Sequence, residues 1–111
     1  MNSDLDHLSQ KYGRLLEERV AAFGLPGKAN ALYRQICELD SYLETSEEGR
    51  LIIETYLSHA MPEVRLHAAS RVIHWNVQLG EHVLEEIERR GGLPAVTAKY
   101  TLKGFRAGKL R

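Results

Sequence analysis

A single cysteine, Cys37, rules out an internal disulfide and any structural zinc site built on several thiolates. Prolines number only three, Pro26, Pro62 and Pro94, and each stands where a helix can begin rather than inside an apolar period. No apolar run approaches the ~20 residues a membrane-spanning helix needs, and the first residues, Met1-Asn2-Ser3-Asp4-Leu5-Asp6, are acidic where a secretory signal would be basic. The expectation is a cytoplasmic protein with no membrane partner. No segment shows the two-residue alternation of a half-buried strand. Gly-rich phosphate loops, His-Glu-x-x-His and Gly-x-Ser-x-Gly are also missing, and Glu47-Glu48 and Glu85-Glu86 read as helix-end residues rather than as an acid and a base. A chain of this kind is expected to be non-catalytic, without metal or cofactor.

What the sequence does contain is helical periodicity. Its 111 residues, 43% hydrophobic and 27% charged, suit one soluble domain spanning 1–111 with a single core. Leu5, Leu8, Tyr12, Leu15, Val20 and Phe23 recur at helical steps before Gly24-Leu25-Pro26-Gly27 breaks the pattern. Ala29, Leu32, Ile36, Leu39 and Leu43 make a second helix, antiparallel to the first. Thr45 and Glu48 fit a capping box opening a third helix, whose buried face is read as Ile52, Ile53, Tyr56, Leu57 and Ala60. A fourth helix follows Pro62 with Val64, Ala68, Ala69, Val72, Ile73 and Asn76. A fifth follows Gly80, with acidic residues leading and Arg89-Arg90 trailing as the helix dipole favours, and a sixth opens at Pro94 with Ala95, Ala98, Leu102 and Phe105 on its core side.

Pro62-Glu63-Val64-Arg65-Leu66-His67-Ala68-Ala69 resembles the opening helix of a HEAT repeat. With Val83-Leu84-Glu85-Glu86-Ile87, Gly91, Gly92, Ala98, Thr101-Leu102-Lys103 and Phe105-Arg106-Ala107-Gly108-Lys109-Leu110, the C-terminal half is similar to a small bacterial family known as domain of unknown function number two thousand and nineteen. The resemblance implies a HEAT-like superhelix with no established catalytic residues. The fold class expected is therefore all-α, a HEAT/armadillo-like α-α superhelix of about three hairpins and six helices. The Asp that a HEAT repeat often places ahead of its Val-Arg pair is replaced here by Ser58-His59-Ala60-Met61, which calls for a different partner for Arg65.

Charge is unevenly spread. From Arg89 to Arg111 there are seven basic residues and no Asp or Glu, giving +7 against −7 for residues 1–88. Such a division fits either an anion-binding end or internal complementarity. On the fourth helix His67, Arg71, His74 and Gln78 form a polar stripe beside Trp75, the sole tryptophan, which serves equally as binding anchor or packing residue. Arg71 between the two histidines places a cation where a zinc ion would sit. Lys99, Lys103 and Arg106 form a basic stripe on the last helix, turned by about 100° from its core line. If the second helix of each hairpin lines a concave side, Gln35, Glu38 and Tyr42 extend this surface toward the acidic end.

The leading expectation is a protein-binding module, in its sharper form an immunity or antitoxin-like inhibitor that occludes a toxin or effector domain with its concave face through these residues. Nucleic-acid binding by the basic end is the alternative, opposed by the neutral overall charge. Homo-oligomerisation through Trp75 and the terminal hairpins is the third.

Overall fold

Local capping and the apolar period together produce an all-helical chain. The structure, a computed structural model, describes residues 3–108; Met1 and Asn2, and Lys109, Leu110 and Arg111 of the basic end, lie outside the described residues. Six α-helices are present among them, α1 (Ser3–Ala21), α2 (Pro26–Leu43), α3 (Glu47–Thr55), α4 (Pro62–Val72), α5 (Val77–Arg90) and α6 (Leu93–Arg106), with a 3-10 turn over Tyr56–Ser58 and no strand. The chain divides into two compact units, Met1–Tyr56 and Leu57–Arg111.

In the first unit each helix packs on the other two. The spacing of Leu32, Ile36, Leu39 and Leu43 on α2 delivers all of them to the core, where they meet Tyr12, Leu15 and Leu16 of α1 and Ile53 of α3. Phe23 breaks the expectation. Because α1 ends at Ala21, the backbone turns before Phe23 can return to the buried side, and its residue surface is 84% exposed. Asp40 is buried on the α2 core face, and there the Tyr12 hydroxyl donates to its Oδ1 at 2.6 Å. The Tyr56 ring stands edge-on to Tyr12, 5.5 Å between centroids, and its hydroxyl donates to the Ser9 carbonyl at 2.6 Å.

The cap of α3 is one residue later than expected. Ser46 adopts extended backbone and its Oγ accepts from the Gly49 N–H at 3.0 Å, whereas the Thr45 hydroxyl donates back to the Tyr42 carbonyl at 2.6 Å. Both hydroxyl residues suit a cap; Thr45 is taken by the closing turn of α2. Ser46→Ala is accordingly expected to cost about 1 kcal/mol and Thr45→Ala only a few tenths. Chemical denaturation of the two variants checks this, and equal losses would be incompatible with the assignment. Ala60, expected on the α3 core face, is exposed because the α-helix stops at Thr55.

In the second unit α5 packs against both α4 and α6, which also touch each other. Val64, Ala68, Ala69 and Val72 of α4, Leu84 and Ile87 of α5, and Ala95, Ala98 and Leu102 of α6 are buried, as their spacing predicts. Arg65 finds main-chain partners in place of the missing Asp: its Nη1 donates to the carbonyls of His59 at 2.6 Å and Ala60 at 3.1 Å. The α4–α5 boundary differs from the sequence reading. Helix α4 ends at Val72, and Asn76, expected as an interior residue of the fourth helix, is exposed and caps the fifth, its Oδ1 accepting from the Leu79 N–H at 3.2 Å. Helix α5 therefore begins four residues before Glu81 and has no acidic residue in its first turn, although Arg89 and Arg90 do close its last.

Candidate protein-binding surface

The early end of α4 breaks the expected polar stripe. His67 and Arg71 are half-buried on α4, His74 and Trp75 occupy the turn that follows, and Gln78 lies exposed in the first turn of α5. Their regular spacing imitates a continuous helix, but the Asn76 cap starts a new one. His74 is built into the fold. Its Nδ1 lies 3.2 Å from the Arg71 carbonyl, which can only accept, so Nδ1 carries the proton; the ring stands edge-on to Phe105, with centroids 6.1 Å apart. Among the described residues no three His, Cys, Asp or Glu side chains are grouped to hold a metal ion.

Gln35, Glu38 and Tyr42 belong to the first unit, all exposed on α2. Gln35 and Glu38 border a shallow groove with Tyr33, Arg34 and Cys37, while Tyr42 lies further along the helix. Cys37 is only half-buried, because it lies beside the Ile36 core position rather than on it. The hydrogen bond with Cys37 raises the Tyr33 hydroxyl above its ordinary pKa and partial burial adds to this, against the Arg19 guanidinium 4.5 Å from the ring centroid.

Lys99, Lys103 and Arg106 do come together, on one side of α6, where with Glu88 and Leu102 they line a shallow groove along α5. They are not equivalent. Arg106 Nε donates to Glu81 Oε2 at 3.1 Å and its Nη2 to Glu85 Oε2 at 2.9 Å, the two carboxylates lying one turn apart on α5. These hydrogen bonds raise the Arg106 pKa further above its ordinary value. Part of the uneven charge is thus internal complementarity. Lys99 and Lys103 are exposed and have no carboxylate partner among the described residues; Lys99 Nζ lies 6.0 Å from the Tyr100 ring centroid.

Sequence reasoning missed a second apolar row on this helix. Leu93, Val96 and Tyr100, at steps of three and four, are 74%, 54% and 61% exposed. At about 100° per residue, this row stands roughly 160° from the buried Ala95, Ala98 and Leu102 row. Lys99 and Lys103 lie between the two, on the Arg106 side. The signal was present as a helix apolar on opposite sides, a pattern that asks for a second covering surface beyond the core. Isolated exposed apolar residues are ordinary on soluble proteins, but three in one helical row with a cationic edge form a patch.

Among the described residues no helix is long and apolar enough to cross a membrane. Comparisons with protein-family models, with curated proteins and with solved structures found no match.

Proposed function

We propose that this chain is a non-catalytic protein-binding module whose contact surface centres on α6. The observation that carries this reading is the row Leu93, Val96 and Tyr100, exposed opposite the core side of the same helix. Helical scaffolding favours binding because the backbone of a packed helix is already ordered, so contact costs side-chain freedom but little main-chain entropy. Tyr100 supplies the type of amphipathic ring on which interface energies concentrate. The mode of action proposed is occlusion, an immunity or antitoxin-like inhibitor covering a partner's working surface in the cytoplasm. The HEAT-like resemblance of 62–69 belongs to the same reading, since repeat helices of that type commonly present a face to other proteins.

Tyr100 beside Lys99 and Lys103 also favours a second reading, a stacking platform for single-stranded nucleic acid. Against it, Arg106 is neutralised by Glu81 and Glu85, and backbone binding depends on several unneutralised cations. The test is capture by the tagged chain from its source cells, with and without nuclease, alongside a variant carrying Leu93→Ser, Val96→Ser and Tyr100→Ser. One stoichiometric protein is expected, resistant to nuclease and lost with the variant. Recovery of nucleic acid in its place would move the function to the second reading, and a protein retained by the variant would remove α6 as the contact surface.

A further inference from the structure

The α6 surface has a chemical asymmetry that specifies more than protein binding in general. Its apolar row runs from Leu93 to Tyr100, about 10 Å along the helix axis, or two turns. One flank carries Lys99 and Lys103 at i and i+4, on the same face and free of internal carboxylates among the described residues. No acidic residue occurs between Arg89 and Arg111 to offset them. Glu88 is the one carboxylate on the adjoining groove, and beyond the two lysines Arg106 is already held by Glu81 and Glu85. A ligand approaching this side therefore meets an apolar ridge and then an unpaired cationic rim.

Resting on the protein-binding reading above, we infer that the partner presents an acidic amphipathic helix, with apolar residues against Leu93, Val96 and Tyr100 and carboxylates one turn apart against Lys99 and Lys103. A helix is the form that repeats both features at matching intervals, since apolar anchors at steps of three and four and charges four apart follow from one helical pitch. A second copy offering the same α6 face is the poorer occupant: an antiparallel two-fold pairing would bring the lysine rims of the two copies together, and a parallel one would leave both rims without a carboxylate from the partner α6. A bilayer surface is poorer too, because three apolar side chains offer little area to insert and the opposite side of α6 is committed to the core. The exposed row amounts to only a few hundred Å2, whereas a stable interface buries roughly 800 Å2 on each partner. The lysine rim and part of the α5–α6 groove must therefore be covered as well, which makes their charge relevant to recognition.

The experiment uses the purified full chain and a peptide of about 18 residues, helix-stapled because free helices of this length are marginal in water, with leucines along one face and glutamates on its flanks. A second peptide carries lysine at every glutamate position, and a single-stranded oligonucleotide and anionic phosphatidylserine vesicles complete the set. By fluorescence anisotropy the acidic peptide is expected to bind roughly tenfold more tightly than the basic one, the size two exposed rim pairs can supply together. The preference should weaken as salt is raised. Lys99→Glu with Lys103→Glu should reverse it, and Leu93→Ser with Tyr100→Ser should weaken acidic-peptide binding by tenfold or more; all four positions are solvent-exposed, and helical dichroism verifies folding. Equal affinity for the two peptides, or a preference that survives the charge reversal, overturns the inference. So does tighter binding to the oligonucleotide or the vesicles, or a concentration-dependent dimer that Leu93→Ser with Tyr100→Ser abolishes. In the cellular capture, a partner lost with the serine variant but kept after charge reversal would refute the acidic class while leaving the protein-binding reading intact. A partner kept by the serine variant would refute α6 as the contact surface itself.

Discussion

Gly80→Ala is expected to destabilise the second unit by about 3 kcal/mol, at the upper end of what overpacking a core usually costs. A Cβ at this position would lie 2.6 Å from Ile73 Cα and 2.7 Å from Ile73 N and Cβ. Ile73 is fully buried at the end of α4, and main-chain atoms cannot rotate aside as a flexible side chain could. The methyl group would force the start of α5 away from the end of α4. Gly104 is the control, since a Cβ there meets nothing within 4 Å. It lies inside α6, so Gly104→Ala should be neutral or stabilising by up to about 1 kcal/mol. Trp75, the sole tryptophan, lies beside this junction, and its fluorescence in a urea titration reports on the unit in question. A Gly80→Ala midpoint matching that of the native chain would show that α4 and α5 do not approach as described.

In the first unit, a large loss is expected at Tyr12. This residue is fully buried, fills the space between α1 and α2, and ties them through its 2.6 Å hydrogen bond to Asp40, itself only 3% exposed. Tyr12→Phe removes a single oxygen but takes a donor from a buried acidic group, a change worth about 2 kcal/mol. Tyr12→Ala also deletes the ring that meets Tyr56 edge-on, and a cavity of that kind raises the loss to about 4 kcal/mol. Thermal or urea unfolding followed by far-UV dichroism separates the two contributions. If Tyr12→Phe unfolds with the native midpoint, the hydroxyl adds nothing and burial of the ring alone holds α1 to α2.

These two sites show why some of the fold was legible and some was not. Leu32, Ile36, Leu39 and Leu43 announce α2 and its buried face because the same few residues that form a helix also set which side of it is apolar. The α4–α5 boundary could not be read in the same way. His67, Arg71, His74 and Gln78 keep helical spacing across a point where the helix ends, so periodicity carried the reading past it. Two signals were available there, an asparagine able to cap and a glycine four residues on, but each has an equally good interior reading until Ile73 is seen against Gly80. Thr45 and Ser46 pose the same difficulty on a smaller scale, two adjacent capping residues of which the closing turn of α2 engages one.

Among the candidate binding residues the division is similar. The basic stripe was visible as Lys99, Lys103 and Arg106, one face of a helix, yet only packing separates Arg106 from the other two. Glu81 and Glu85 are 25 and 21 residues away, and they reach Arg106 because α5 and α6 lie side by side. Likewise Leu93, Val96 and Tyr100 are apolar in the sequence, but which of α6's two apolar rows would be covered depended on where α5 and α4 came to rest.

By itself, then, the sequence determined the helical class, the core row of most helices and the concentration of positive charge at one end. Each follows from residue type and spacing over a few turns, where the backbone's own hydrogen bonds and the burial of apolar side chains act locally. Tertiary structure alone decided where α4 gives way to α5, which cation is neutralised and which apolar row is left in water. Those outcomes require two distant segments to compete for the same surface, and spacing within a single helix holds no information about what will be packed against it.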